Sequence, residues 1–287
     1  MWITSVIMPS NSGILRTSSF FLYRANMHDI NAVSLKVHKI MSLEQLTLVF
    51  GAFVIGGVLK GAVGVGAPLI VVPMMAILVD VPFAIAVFVV PNIASNIWQS
   101  WRFRKNKPEG SFSLKFAFFG MVGAGIGTLV LVKFSSTALT TFVSLVILLY
   151  VAFRLRNPNW SLNWVLANKL VIPVGAMGGF LQGSTGLSAP VSVTFMSAIS
   201  LRREEFIFTM SLFFFVMAII QFPVQLFLGV MNFERFAYGV AAIFPLSVGM
   251  YIGGFLGKKI SKSTFNTAII ILLLLLSVRL LSLSFQH

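Results

Sequence analysis

The chain has 287 residues, of which 57% are hydrophobic and 10% charged, with a mean hydropathy of +0.95, a composition that excludes a soluble domain, where about 25% of residues are charged. Its 21 Lys and Arg outnumber 7 Asp and Glu, for a formal net charge of +14, yet the basic residues sit mostly in short loops between apolar stretches, which argues against a nucleic-acid surface and for an orientation signal in a membrane. No cysteine is present, which excludes disulfides, thiolate metal sites and thiol catalysis.

The first forty residues are mixed in character, with Arg16, Arg24, Lys36 and Lys39 scattered among polar residues. This stretch reads as a disordered tail or an over-called start with Met41 as the first residue. Apolar segments of membrane-spanning type follow. Leu43–Lys60 leads into a glycine-rich break, and Ala67–Val79 follows it, too short to cross the hydrocarbon upright. Three spans come next, near Pro82–Trp101, Phe112–Val132 and Thr137–Phe153. The plan then repeats near Leu170–Gln182, Ala189–Ser200, Phe206–Leu228, Phe236–Leu256 and Phe265–Leu281.

The repetition is written in the residues. Gly56–Met74 aligned onto Gly178–Met196, a spacing of 122, matches at nine of nineteen positions: Gly56, Gly57, Leu59, Gly61, Gly64, Ala67, Pro68, Val71 and Met74. Later, Gly123, Gly127, Lys133 and Ser135 fall on Gly249, Gly253, Lys259 and Ser261 at a spacing of 126. Glycine frees the backbone, and proline suits the first turn of a helix that restarts. A duplicated break inside lipid points to paired discontinuous helices, a common site in transporters.

The basic clusters at Arg102–Lys107, at Arg154–Arg156 with Lys169, at Arg202-Arg203, and at Lys258-Lys259 with Lys262 can share one face, which the positive-inside rule makes cytoplasmic. Three full spans separate the two broken segments, so the second copy enters from the opposite side. The expected fold is an all-α polytopic membrane protein of two inverted repeats, 41–157 and 158–287. Each repeat is a broken or re-entrant helix pair followed by three transmembrane helices, and the two breaks are expected to meet near the midplane.

Lys60 is the sharpest candidate for chemistry. It is a basic residue inside a predicted break, and its counterpart in the second half is Gln182. Charge in a membrane interior is expensive unless it serves a ligand or partner. Two readings stay open: an ammonium facing an anionic oxygen, or a lysine that snorkels to an interface or caps carbonyls. The restarting helices, at Gly64, Gly66 and Ala67 and again near Ser188, offer unpaired N–H groups to an anion. Ser184, Thr185 and Ser188 add hydroxyl donors, although small residues there also suit helix packing. Asn92, Asn96 and Gln99 recur at helical spacing on the following span, and Gln99 aligns with Gln221. Amides so deep either bind substrate or bond between helices.

All seven acids fall in the tail, in loops or at span ends, and His28, His38 and His287 are near the termini. No catalytic residue, metal site or cofactor is expected, and no buried carboxylate is available for a proton relay.

These residues resemble the sulfite exporter TauE/SafE family of membrane transporters, which is built from two homologous halves, each opening with a glycine-rich stretch like those at Gly61–Pro73 and Gly183–Met196. Many members have a longer glycine run where Ala67-Pro68 and Ser188-Ala189-Pro190 stand here, a departure that bears on substrate subtype more than on fold. The resemblance implies transport, export above all, of small anions such as sulfite, organosulfonates or related organic acids across the cell inner or plasma membrane. It implies as partners a small anionic substrate and the lipid bilayer, with a homo-oligomer left open. A non-transporting membrane subunit of a larger complex is the alternative.

Overall fold

The structure, a computed structural model, describes residues 41–157, 160–199, 201–256 and 262–284. The tail 1–40 and the basic pair Lys258-Lys259 lie outside the described residues. Among the described residues are ten α-helices: α1 (Leu43–Val63), α2 (Ala67–Leu78), α3 (Val81–Arg102), α4 (Phe112–Leu131), α5 (Ser136–Arg156), α6 (Trp164–Thr185), α7 (Ala189–Ala198), α8 (Arg203–Phe227), α9 (Phe233–Leu256) and α10 (Lys262–Ser284). Seven of them (α1, α3, α4, α5, α6, α8 and α9) are long and apolar enough to cross a membrane. The protein is an all-α polytopic membrane protein.

Helix starts follow from side-chain caps. The carboxylate of Asp80 accepts the Phe83 N–H at 2.7 Å, and the Asn163 side chain accepts the Leu166 N–H at 2.8 Å. Prolines occupy the first turns of α2, α3 and α7, where their missing N–H costs nothing. The described acids of α1, α8 and α9 sit in the first turn, next to the positive end of the helix dipole.

The breaks fall within a few residues of the expected positions. α1 runs unbroken for 21 residues and α6 for 22, each about 32 Å and enough for a full crossing. The chain leaves helical geometry only at Gly64–Gly66 and Gly186–Ser188, where Gly64, Gly66 and Gly186 have φ of 92°, 105° and 73°. Each break therefore follows a full span and precedes a short helix. α6 starts six residues earlier than expected, so Lys169 lies within a helix and not in a loop.

Each short helix folds back along its long partner. Gly56 of α1 faces Ala67 and Val71 of α2, and the Gln45 amide of α1 donates to the Leu78 carbonyl at the far end of α2, 3.3 Å away. Gly178 of α6 likewise faces Ser192 of α7. The tip of the second break meets the short helix of the first: Gly186 faces Val72 of α2. Gly64 abuts Ile207 in the second turn of α8, and Gly186 abuts Ile85 in the second turn of α3.

The other glycines of the duplicated segment serve packing. A Cβ on Gly61 would lie 2.1 Å from the Met250 carbonyl oxygen, and one on Gly57 would lie 2.3 Å from that of Leu246. In the second half, Gly183 and Gly179 lie equally close to the carbonyls of Ala124 and Gly120. So α1 packs backbone-to-backbone on α9, and α6 on α4, as small residues allow in lipid. Each pair joins the opening helix of one half to a later helix of the other half. The described residues from Leu43 onward accordingly form one compact unit.

Candidate functional site

Lys60 lies in the last turn of α1 and is 2% exposed. Its ammonium donates to the Asn96 Oδ1 of α3 at 2.6 Å and stands 6.0 Å from the centre of the Phe214 ring on α8. It neither snorkels nor caps the end of its own helix. Among the described residues no carboxylate forms an ion pair with it. Burying an ammonium without a counter-charge is costly, and one amide oxygen with a distant ring face offsets only part of that cost.

The bond from Lys60 fixes the neighbouring amides. Because Asn96 Oδ1 accepts, its Nδ2 must donate, and it does so to the carbonyl and to the Oδ1 of Asn92, at 2.7 and 2.6 Å. Asn92 Nδ2 is then left buried with no partner. The donors of this group left without a partner are two of the three ammonium hydrogens and the Asn92 amide. Such a set suits a ligand made of acceptors.

The second half uses the same positions differently. Gln182, the counterpart of Lys60, turns its Oε1 to the Ser188 N–H at 3.2 Å and so closes its own break. Thr185 Oγ1 accepts the Leu187 N–H at 3.2 Å, and the hydroxyls of Ser188 and Ser192 are 2.8 Å apart. Ser184 is spent on the Phe180 carbonyl of its own helix. Gln221 of α8 donates to the Gln182 carbonyl at 3.3 Å, leaving its Oε1 unpartnered. Gln99 accepts from Ser211 across the α3–α8 contact at 3.2 Å.

The predicted residues thus fall into two groups, one at each break. Lys60, Asn92 and Asn96 form a connected chain, with Gly64, Gly66 and Ala67 supplying the adjacent turn. Gln182, Thr185, Ser188 and Gln221 brace the second break, and Gln99 bonds between helices. Sequence reasoning missed Phe214, which reads as one more core aromatic among 29 phenylalanines. It also missed Gln225 as a site residue, although both polar atoms of that side chain are buried without partners.

Two opening helices of full length, each turned back on itself by a short helix, with a buried cation at one turn that has no ion pair among the described residues, make up the candidate site of a polytopic membrane protein. The comparison with protein families agrees: the model of the Sulfite exporter TauE/SafE family matches residues 48–280, and the chain belongs to that family. No curated protein and no solved structure matches the chain.

Proposed function

We propose that the protein is a secondary transporter or facilitator that carries small sulfur oxyanions, sulfite or short organosulfonates, outward across the cytoplasmic membrane, and that Lys60, Asn96 and Asn92 hold the anion. The observation that carries this reading is the buried ammonium at the head of a chain of amides that leaves donors on Lys60 and Asn92 without partners. An oxyanion supplies the acceptors and the negative charge that the group lacks, and charge-assisted hydrogen bonds to it are worth about 1.5–3 kcal/mol each.

The inverted-repeat arrangement belongs to the same proposal. Arg203, at the start of α8, donates to the Ala62 carbonyl at the end of α1 at 2.9 Å, and a backbone bridge joins Leu162 to Ile199. These contacts favour one shared face for the basic residues around α5, α6 and α8. Arg235 donates to the Val230 carbonyl and lies 5.6 Å from the Phe83 ring, which groups the opposite ends of α3 and α9 on the other face. By loop charge the first face is cytoplasmic. For an exported monoanion, an inside-negative potential contributes about 2.3 kcal/mol per 100 mV.

Efflux of labelled sulfite from liposomes containing the purified protein tests this. Efflux that accelerates with an inside-negative potential and collapses in Lys60→Gln is the expected result. Absent flux for sulfite, ethanesulfonate and small carboxylates, with a partner protein co-purifying, overturns it in favour of a non-transporting subunit.

A further inference from the structure

A cavity of about 220 Å³ opens beside the first break, and none of Lys60, Asn92, Asn96 or Phe214 lines it. It lies between the turn at Val65-Gly66, the last turn of α5 and the body of α7. That volume holds roughly seven water molecules, so it admits a small ion with part of its hydration shell and excludes a large ligand.

Its lining is polar on the side of the basic loops. Arg154 lines it, half-buried, with no carboxylate or hydrogen-bond acceptor paired to it among the described residues. Thr194 lines it from α7, is 7% exposed, and its hydroxyl has no partner. The phenol of Tyr150 stands one turn before Arg154 on the same wall. The backbone at Gly66 adds the positive end of α2, a helix of 12 residues in which Pro68 has no N–H and the Leu69 N–H donates to the Gly66 carbonyl, so that end contributes its dipole more than open donors. A cation without a counter-ion, an orphan hydroxyl and a helix start converge on one small space, and no carboxylate lines it.

We propose that this cavity is a second anion station, separate from Lys60, which takes a small oxyanion on the Arg154 guanidinium and the Thr194 hydroxyl at the basic end of the molecule. It rests on the anion-transport reading for the class of ligand, but not on Lys60. An arginine presents a planar fork of donors to two oxygens of one ligand. An ion seated there lies against the turn that follows Lys60, so the station stands next to the inner site along the chain. An anionic lipid headgroup offers the same oxygens, and the cavity's small volume favours the free ion.

Trp160 lines the cavity, so its emission reports occupancy. Purified protein in phosphatidylcholine nanodiscs is titrated with sulfite, and Trp160→Phe identifies the cavity signal. The expected result is quenching that survives in Lys60→Gln, weakens roughly ten- to a hundredfold in Arg154→Gln and Thr194→Val, and is largely restored in Arg154→Lys. Wild-type protein without a Trp160 response to sulfite overturns the station, as does quenching that disappears in Lys60→Gln, which means one site only. A response to phosphatidylglycerol in place of sulfite overturns the free-ion station in favour of a headgroup site. In each of these cases Lys60-dependent efflux can still be measured, so the transport reading stands or falls separately.

Discussion

Lys60 Nζ and Asn96 Oδ1 are 2.6 Å apart, joining α1 to α3 by a buried, charge-assisted hydrogen bond. The equivalent side chain in the second half, Gln182, makes no such bridge and instead caps the Ser188 N–H of its own break. One duplicated position therefore bridges two helices in one half and caps its own break in the other.

That difference predicts the behaviour of Lys60→Gln. A glutamine there can turn to the N–H of Gly66, as Gln182 turns to Ser188, so the fold should hold and the melting temperature should change little. Sulfite affinity should fall by roughly 1.5–3 kcal/mol, or ten- to a hundredfold. Lys60→Arg should lie between the two, because a planar fork replaces a compact ammonium. Unchanged affinity and efflux in a well-folded Lys60→Gln protein would make the lysine structural.

The glycines separate into two classes by what an added methyl would meet. Gly61→Ala places a Cβ 2.1 Å from the Met250 carbonyl, and Gly183→Ala places one 2.3 Å from that of Ala124. Both should force α1 from α9, or α6 from α4, at a cost of about 1–3 kcal/mol or more. At Gly51 and Gly254 nothing lies within 4 Å, so alanine there should be neutral or stabilising by up to about 1 kcal/mol. Thermal unfolding in detergent checks the contrast, and equal losses at all four positions would remove the packing account.

The duplication itself, the spans and the isolation of Lys60 were legible in the residues, because spacing and hydropathy are properties of one strand of sequence. The role of Gly57, Gly61, Gly179 and Gly183 was not. A glycine that breaks a helix and a glycine that admits a neighbouring backbone look identical until the neighbour is known. Self-alignment pairs Gly57 with Gly179, but it cannot tell that each lies against a helix of the opposite half. The same limit hid Phe214, Arg154 and Thr194: their surroundings come from helices distant in the chain. The alignment of Gln99 with Gln221 was correct as correspondence, yet the two amides bond to different partners.

Sidedness follows from the basic loops. The chain has no native cysteine, so single cysteines label without background. Arg104→Cys and Asn157→Cys should react from the cytoplasmic face and Lys133→Cys from the outer face. Labelling of the first two from opposite faces would rule out the inverted-repeat arrangement.

Driving force is a separate question from binding. Among the described residues, the acids lie at helix starts or in a loop, so no carboxylate is placed to carry protons through the spans. With the membrane potential clamped, collapsing the proton gradient should leave sulfite efflux within about a factor of two, a change under roughly 0.5 kcal/mol in driving terms. Efflux that stops under those conditions would show obligatory proton coupling.

Asn96→Asp distinguishes what Lys60 does for the fold from what it does for the anion. A carboxylate at position 96 stands where Oδ1 already accepts from the ammonium at 2.6 Å, so it supplies a counter-charge with no change in side-chain size. The buried cation is then compensated, while the second carboxylate oxygen replaces the Nδ2 that donated to the Asn92 carbonyl and Oδ1, so the Asn92 amide must turn its Nδ2 toward it and the melting temperature should change little. The same compensation cancels the positive potential offered to a ligand, and the new negative charge repels an oxyanion. Sulfite affinity should therefore drop more than tenfold, about 1.4 kcal/mol or more, even though the protein is as stable as before. Asn96→Ala should show the reverse pattern in part: it leaves the ammonium without its acceptor, lowers the melting temperature, and keeps the positive charge for the anion. Wild-type affinity in a stable Asn96→Asp protein would place the anion elsewhere in the molecule and reduce the Lys60–Asn96 bond to a tie between two helices.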